Sequence, residues 1–279
     1  MTKKTDIIKA LGFIAIILTI AILPALFLTT ETADASESIK DETTCSNQHA
    51  HVDFGTADQG YITINVTMDV TKKSRAVLTS NSGETTFELP ATHESVLPLT
   101  NGSGKYSVAI YNQDDTNEYQ QVLSTDFSAD INDETAPYLQ ANAYVYYEYG
   151  DDVQFIAEEL AINTDSDIKM ANAFADYVTS ELTFEPGLIS DQPEINEALN
   201  NKTASNVDAT AVFTAMCRTQ NIPCRMHLGV FNNNQSRAWA EAYLDGQWIR
   251  YDFMITEETV TGAEKIVACD NNYNTTTVL

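Results

Sequence analysis

Polar and apolar residues alternate strictly in Y-I-T-I-N-V-T-M-D-V, Tyr61 to Val70, with Ile62, Ile64, Val66, Met68 and Val70 on one side. A period of two predicts a half-buried strand. The stretch R-A-V-L-T-S-N-S-G-E-T-T-F-E-L-P predicts a hairpin turning at Asn81-Ser82-Gly83. Gly104–Asn112 and Tyr119–Ile131 add two more strands, set off by the turn-formers T-N-G-S-G and N-Q-D-D-T-N. Several short strands at regular spacing predict a small antiparallel β-sandwich over residues 53–135.

After N-D-E-T-A-P the period lengthens. Asp151 to Ile162 reads as a short amphipathic helix. Beyond Ser166, a cap residue, Ile168, Ala171, Phe174, Ala175, Val178 and Leu182 fall on one helical stripe. A short helix is expected after Pro193. The longest helix candidate is N-V-D-A-T-A-V-F-T-A-M-C-R-T-Q, ended by Ile222-Pro223 at the entry to a strand. The segment S-R-A-W-A-E-A-Y-L-D-G-Q-W-I-R-Y-D-F predicts two strands joined by a tight turn at Asp245-Gly246. Residues 138–279 therefore read as helices followed by strands, and the fold class is α+β.

The ends of the chain read differently. Lys3, Lys4 and Lys9 flank the apolar run Ala10 to Leu28, and Ala33-Asp34-Ala35 follows as a small-x-small site. Residues 1–35 thus form a signal peptide or a membrane anchor. Both readings place the remaining chain outside the cytoplasm, extracellular or at the cell surface, and membrane-anchored if the segment is not cleaved. Residues 36–52 are polar and acidic, and read as a flexible stalk. The whole chain has 279 residues and a formal charge of −25. That charge repels phosphate backbones and anionic lipid, so nucleic acid is excluded as a partner and membrane contact is confined to the N-terminal segment.

Four cysteines, Cys45, Cys217, Cys224 and Cys269, fit no zinc spacing, so neither a metal nor a cofactor is expected. Cys217 and Cys224 lie across a helix-to-strand turn and are read as a disulfide, with two buried free thiols as the other reading.

Helix, N-I-P-x-R turn, strand, then R-A-W-A-E-A-Y, D-G-Q-W and Asp252 resemble the transglutaminase-like domain of the papain-like cysteine-nucleophile superfamily. That family carries G-x-C at the helix start, H-A-W-x-E/N-x-Y on a strand, and an aspartate. The mature chain is also similar to an exported bacterial group in which a small β domain precedes this domain. The junction of that group has its counterpart at Ala136 to Val145, and the resemblance covers roughly residues 55–255. It implies amide chemistry: a thiolate favoured by a helix N-terminus, a histidine base and an orienting aspartate. Matched on Ile222-Pro223 and Ala238-Trp239, the nucleophile position holds Asn206, the base position Arg237, and the third Asp252. Trp239 and Trp248 are expected as pocket walls. An amide is a poor nucleophile and a guanidinium is no proton acceptor. The expectation is an exported, catalytically inactive protein that binds an unknown protein or cell-wall ligand. A cysteine-type amide hydrolase or transamidase with an unconventional site is the alternative. A β-domain adhesin or spacer is a third reading.

Overall fold

The computed structural model describes residues 39–40, 42–69, 71–184, 192–232, 235–253, 264–267 and 273–279, and Glu37–Leu279 form one compact unit. The signal or anchor segment 1–35 and Cys269 lie outside the described residues. Among those described, no helix is long and apolar enough to cross a membrane.

Strands β1 (Ile39–Lys40), β2 (Thr44–Ser46), β3 (Ala50–Asp53) and β4 (Tyr61–Val66) form an antiparallel sheet closed by β7 (Ser95–Pro98). A second sheet runs in the order β6 (Gly83–Leu89), β5 (Ser74–Ser80), β8 (Gly104–Gln113), β9 (Tyr119–Ala129). The predicted alternation holds over the first half of the stretch, where Ile62 and Ile64 are buried while Tyr61 and Thr63 are only half-buried; the strand ends at Val66, Met68 beyond it is half-buried, and Val70 lies outside the described residues. Ser80 pairs with Gly83, so β5 and β6 turn through Asn81-Ser82. The sheets share one core, in which the rings of Phe54 and Phe127 stack at 5.5 Å.

Residues 42–53 correct the expectation of a stalk. Cys45, Ala50 and Val52 point into the core, and Cys45 pairs with Val52 across β2 and β3. Three apolar residues in two very short strands leave too brief an alternation to outweigh an acidic composition.

The second half contains helices α1 (Asp152–Ala161), α2 (Asp167–Glu181), α3 (Ile195–Asn201) and α4 (Asn206–Thr219). The two-residue strands β10 (Thr183–Phe184) and β11 (Thr203–Ala204) pair in parallel. Strands β12 (Cys224–Phe231), β13 (Gln235–Leu244), β14 (Gln247–Asp252), β15 (Glu264–Val267) and β16 (Tyr273–Val278) form an antiparallel sheet in the order β15-β14-β13-β12-β16. Asp245 (φ 50°) and Gly246 (φ 80°) turn β13 into β14. Positive φ at both central residues is the hairpin turn that matches strand twist, and Asp-Gly tolerates it.

Helix α4 is the hub. Ser205 caps it: Asp208 N donates to Ser205 Oγ at 3.1 Å, and Ser205 N donates to Asp208 Oδ2 at 2.9 Å. These bonds satisfy donors that a buried helix start would otherwise leave unpaired. Every residue from Asp208 to Arg218 is buried. Helix α4 packs against β13, whose Ala238, Ala240 and Ala242 are all fully buried. Small side chains at alternate positions let a helix lie close to a sheet. At the far end, the Arg218 guanidinium donates to Cys224 O (2.9 Å), Gln140 O (3.0 Å) and Leu279 O (2.9 Å).

Candidate functional site

The start of α4 meets β13 and the end of β14 through one side chain. Asn206 Oδ1 accepts from Ala238 N at 2.6 Å, and its Nδ2 donates to Phe253 O at 2.8 Å. A carboxamide carries a donor and an acceptor on one planar group, so it can bridge a strand N–H and a carbonyl at once. Beside it, Arg237 Nη1 donates to Asp252 Oδ2 at 2.9 Å. The arginine side chain is 10% exposed and the aspartate 0%. Tyr273 OH donates to the same carboxylate oxygen at 2.6 Å. Burial, then its bond to Asp252, pushes the Tyr273 phenol well above the ordinary tyrosine range. The Arg237 guanidinium also lies 4.4 Å from the centre of the Phe231 ring. Asn206 thus bonds the backbone at Ala238 and Phe253, next in sequence to Arg237 and Asp252, whose paired side chains alternate to the face of the sheet opposite Ala238 and α4.

The same face of the sheet holds a second ionic group. Alternation along β13 puts Trp239 and Glu241 on the side of Arg237. Glu241 receives Arg225 Nη2 at 2.6 Å and Arg250 Nη2 at 3.0 Å, and His227 Nε2 lies 3.2 Å away. Burial pushes the Glu241 carboxyl up, but His227 and Arg225 outweigh it, and its pKa falls to about 2. His227 is shifted down by burial, against the pull of Glu241, so neutral imidazole is favoured there. Its ring stacks on Trp239 at 5.3 Å, and Tyr273 meets Trp239 edge-on at 4.9 Å.

Residues 154–253 match the transglutaminase-like superfamily. The chain carries a transglutaminase-like domain. No curated protein matches the sequence. Among solved structures, a candidate cysteine protease from Cytophaga hutchinsonii is 15% identical, over 88% of this chain and 81% of that one, with a TM-score of 0.41. Red sea bream transglutaminase is 12% identical over 69% of this chain and 47% of its own, with a TM-score of 0.31. The periplasmic domain of TgpA from Pseudomonas aeruginosa is 10% identical over 74% and 93%, with a TM-score of 0.32.

Within this transglutaminase-like domain the two tryptophans do not share a wall. Trp239 is 1% exposed and lies next to the Arg237–Asp252 pair. Trp248 stands opposite Tyr243, four residues further along β13, which is about 13 Å. There it is half-buried, edge-on to Tyr138 at 5.4 Å and 4.2 Å from the Arg225 guanidinium. The disulfide between Cys217 and Cys224 is also corrected: both are free, buried thiols, as is Cys45. With 0% exposure, both pack as small apolar side chains in the core between α4 and β12. Burial, then the neighbouring Cys224, pushes the Cys217 thiol well above the ordinary range. Cys217 also lies about 16 Å along α4 from Asn206.

Two contributors escaped the reading of the sequence. Tyr273 arrives on β16, whose Y-N-T-T-T-V offers β-branched residues but few apolar ones. The Glu241 cluster was legible in principle, because Arg237, Trp239 and Glu241 are spaced by two. Among the described residues, no group of three or more His, Cys, Asp or Glu could hold a metal ion.

Proposed function

We propose that this chain is an exported, catalytically inactive transglutaminase-like protein that serves as a binding or structural module at the cell surface. The observation that carries the reading is the occupancy of Asn206. Its amide is committed on both sides, to Ala238 N and Phe253 O, at the position where the resemblance expects a free thiolate. The neighbouring base position holds a guanidinium already bound to Asp252. A proton relay needs an acceptor there, and none is supplied. The basic flank, apolar run and small-x-small site of residues 1–35 support export.

The test compares three proteins with Cys45, Cys217, Cys224 and Cys269 replaced: parent, Asn206→Cys, and Asn206→Cys with Arg237→His. Iodoacetamide labelling of the thiol that Asn206→Cys introduces is expected to persist well below pH 8, since a helix N-terminus and a nearby cation favour thiolate. The double variant is expected to hydrolyse an activated ester faster than the single one. The unmodified protein is expected to turn over neither glutamine nor peptide substrates. Turnover that Cys217→Ala or Cys224→Ala abolishes, with the fold intact, would overturn the proposal in favour of an amide hydrolase or transamidase.

A further inference from the structure

Helix α1 shows its apolar residues on two opposite sides. Val153 and Ala157 face the core. At about 100° per residue, Phe155 and Ile162 point the other way. They are 57% and 78% exposed, and Tyr149, three residues before the helix, is 95% exposed. A single exposed apolar residue is ordinary. Two on one stripe, seven residues apart, with an exposed tyrosine at the helix entrance, make a ridge that the fold itself leaves uncovered.

Charge defines the occupant. Residues 148–168 contain seven acids, Glu148, Asp151, Asp152, Glu158, Glu159, Asp165 and Asp167, and no lysine or arginine. Glu158 and Glu159 are exposed and flank the Phe155–Ile162 stripe, one on each side. The nearest following cation, Lys169, is taken by Asp165 at 2.7 Å. A second copy would set these acids against their equals, which like-charge repulsion opposes. Anionic lipid is repelled in the same way. A helical segment with basic residues around two large apolar ones, spaced about 10 Å apart, satisfies both the ridge and its rim.

We infer that the outward face of α1, with Tyr149, Phe155 and Ile162 in an acidic border, is a docking surface for a cationic amphipathic polypeptide. The surface shares no residue with Asn206, Arg237 or Asp252, so it stands whether or not those positions turn over a substrate.

The experiment measures binding of a fluorescent synthetic amphipathic helix of leucine and lysine to the full chain and to its Phe155→Ser/Ile162→Ser variant. Both residues are exposed, so the melting temperature is expected to stay unchanged. The probe is expected to bind the parent saturably and to lose roughly tenfold or more in affinity on the variant. A scrambled peptide of the same composition is expected to bind more weakly, and a leucine and glutamate counterpart not at all. Equal affinity for parent and variant would reduce the effect to net charge and overturn the inference. So would no saturable binding, equal affinity for the glutamate peptide, or a parent dimer in sedimentation that the variant abolishes.

Discussion

At residue 206 one amide ties the start of a helix to two strands that already pair as a hairpin. The Asn206 bonds to Ala238 N and Phe253 O fix the start of α4 against β13 and the end of β14. Arg237 and Asp252 extend that joint, and here the energetics are testable. Removing Arg237 leaves a fully buried carboxylate with Tyr273 as the hydroxyl still donating to Oδ2. Breaking one partner of a buried ion pair typically costs about 3–5 kcal/mol, while replacing both is far milder. In a double-mutant cycle with Arg237→Ala and Asp252→Asn, chemical denaturation should show the double variant losing less than the sum of the singles. Coupling indistinguishable from zero would mean that the pair holds nothing in place. Residue types alone pointed to these three positions through a family pattern. Their mutual bonding did not, because which atoms meet depends on how three separated elements converge.

Elements with a sustained period were legible; short ones were not. The ten-residue alternation around Ile62 and the long apolar stripe of α2 each carry enough repeats to exceed chance. Strands β2, β3 and β16 are too short or too polar to do so, and β16 takes its place from β12, a partner distant in sequence. Asp245-Gly246 was legible because turn chemistry is local. Gly229 shows the reverse. A Cβ there would lie 2.2 Å from Asn274 O and 2.7 Å from Trp239 Cη2. The β12–β16 ladder shifts register at Leu228/Gly229, so the crossing is close at the strand that delivers Tyr273. Nothing local in L-G-V announces this. Gly229→Ala is expected to force backbone apart and to destabilise by about 1–3 kcal/mol. Loss of the Tyr273 contact should accompany it, read as exposure of the Trp239 fluorescence. An unchanged melting curve would contradict the close crossing.

At the scale of the whole molecule, acid sensitivity follows from the buried charges. His227 has its pKa lowered by burial, so the unfolded chain binds its proton first. The stability tied to that histidine is therefore present above about pH 6.5, the ordinary imidazole value, and declines as pH falls below it. Glu241, near 2 in the folded protein, adds stability above its ordinary value that is lost as pH drops from about 4.5 toward 2. The melting temperature should fall in two stretches of pH. His227→Gln should flatten the upper one, which opens as pH falls below about 6.5. The formal charge of −25 shrinks over the same range and relieves self-repulsion in both proteins, so the difference between the two curves isolates the histidine. Identical curves would remove His227 from the acid response.

Arg218 gathers carbonyls from Gln140, Cys224 and Leu279, residues 78, 6 and 61 positions away from it along the chain. This sets an order of assembly. Helix α4, β12 and β13 can form as soon as they are synthesised, but the guanidinium at their centre lacks one acceptor until residue 279 has arrived. The last strand must also return past β15, β14 and β13 to reach the free edge of β12. Such long-range closure is slow compared with helix and hairpin formation. A nascent chain emerging at residue 260 thus exposes an unpaired strand edge and an unsatisfied buried cation, the features that chaperones and proteases recognise. A chain ending before Tyr273 is expected to be cleaved by protease far faster than one that runs to Leu279. Equal resistance would show that the late strand is dispensable.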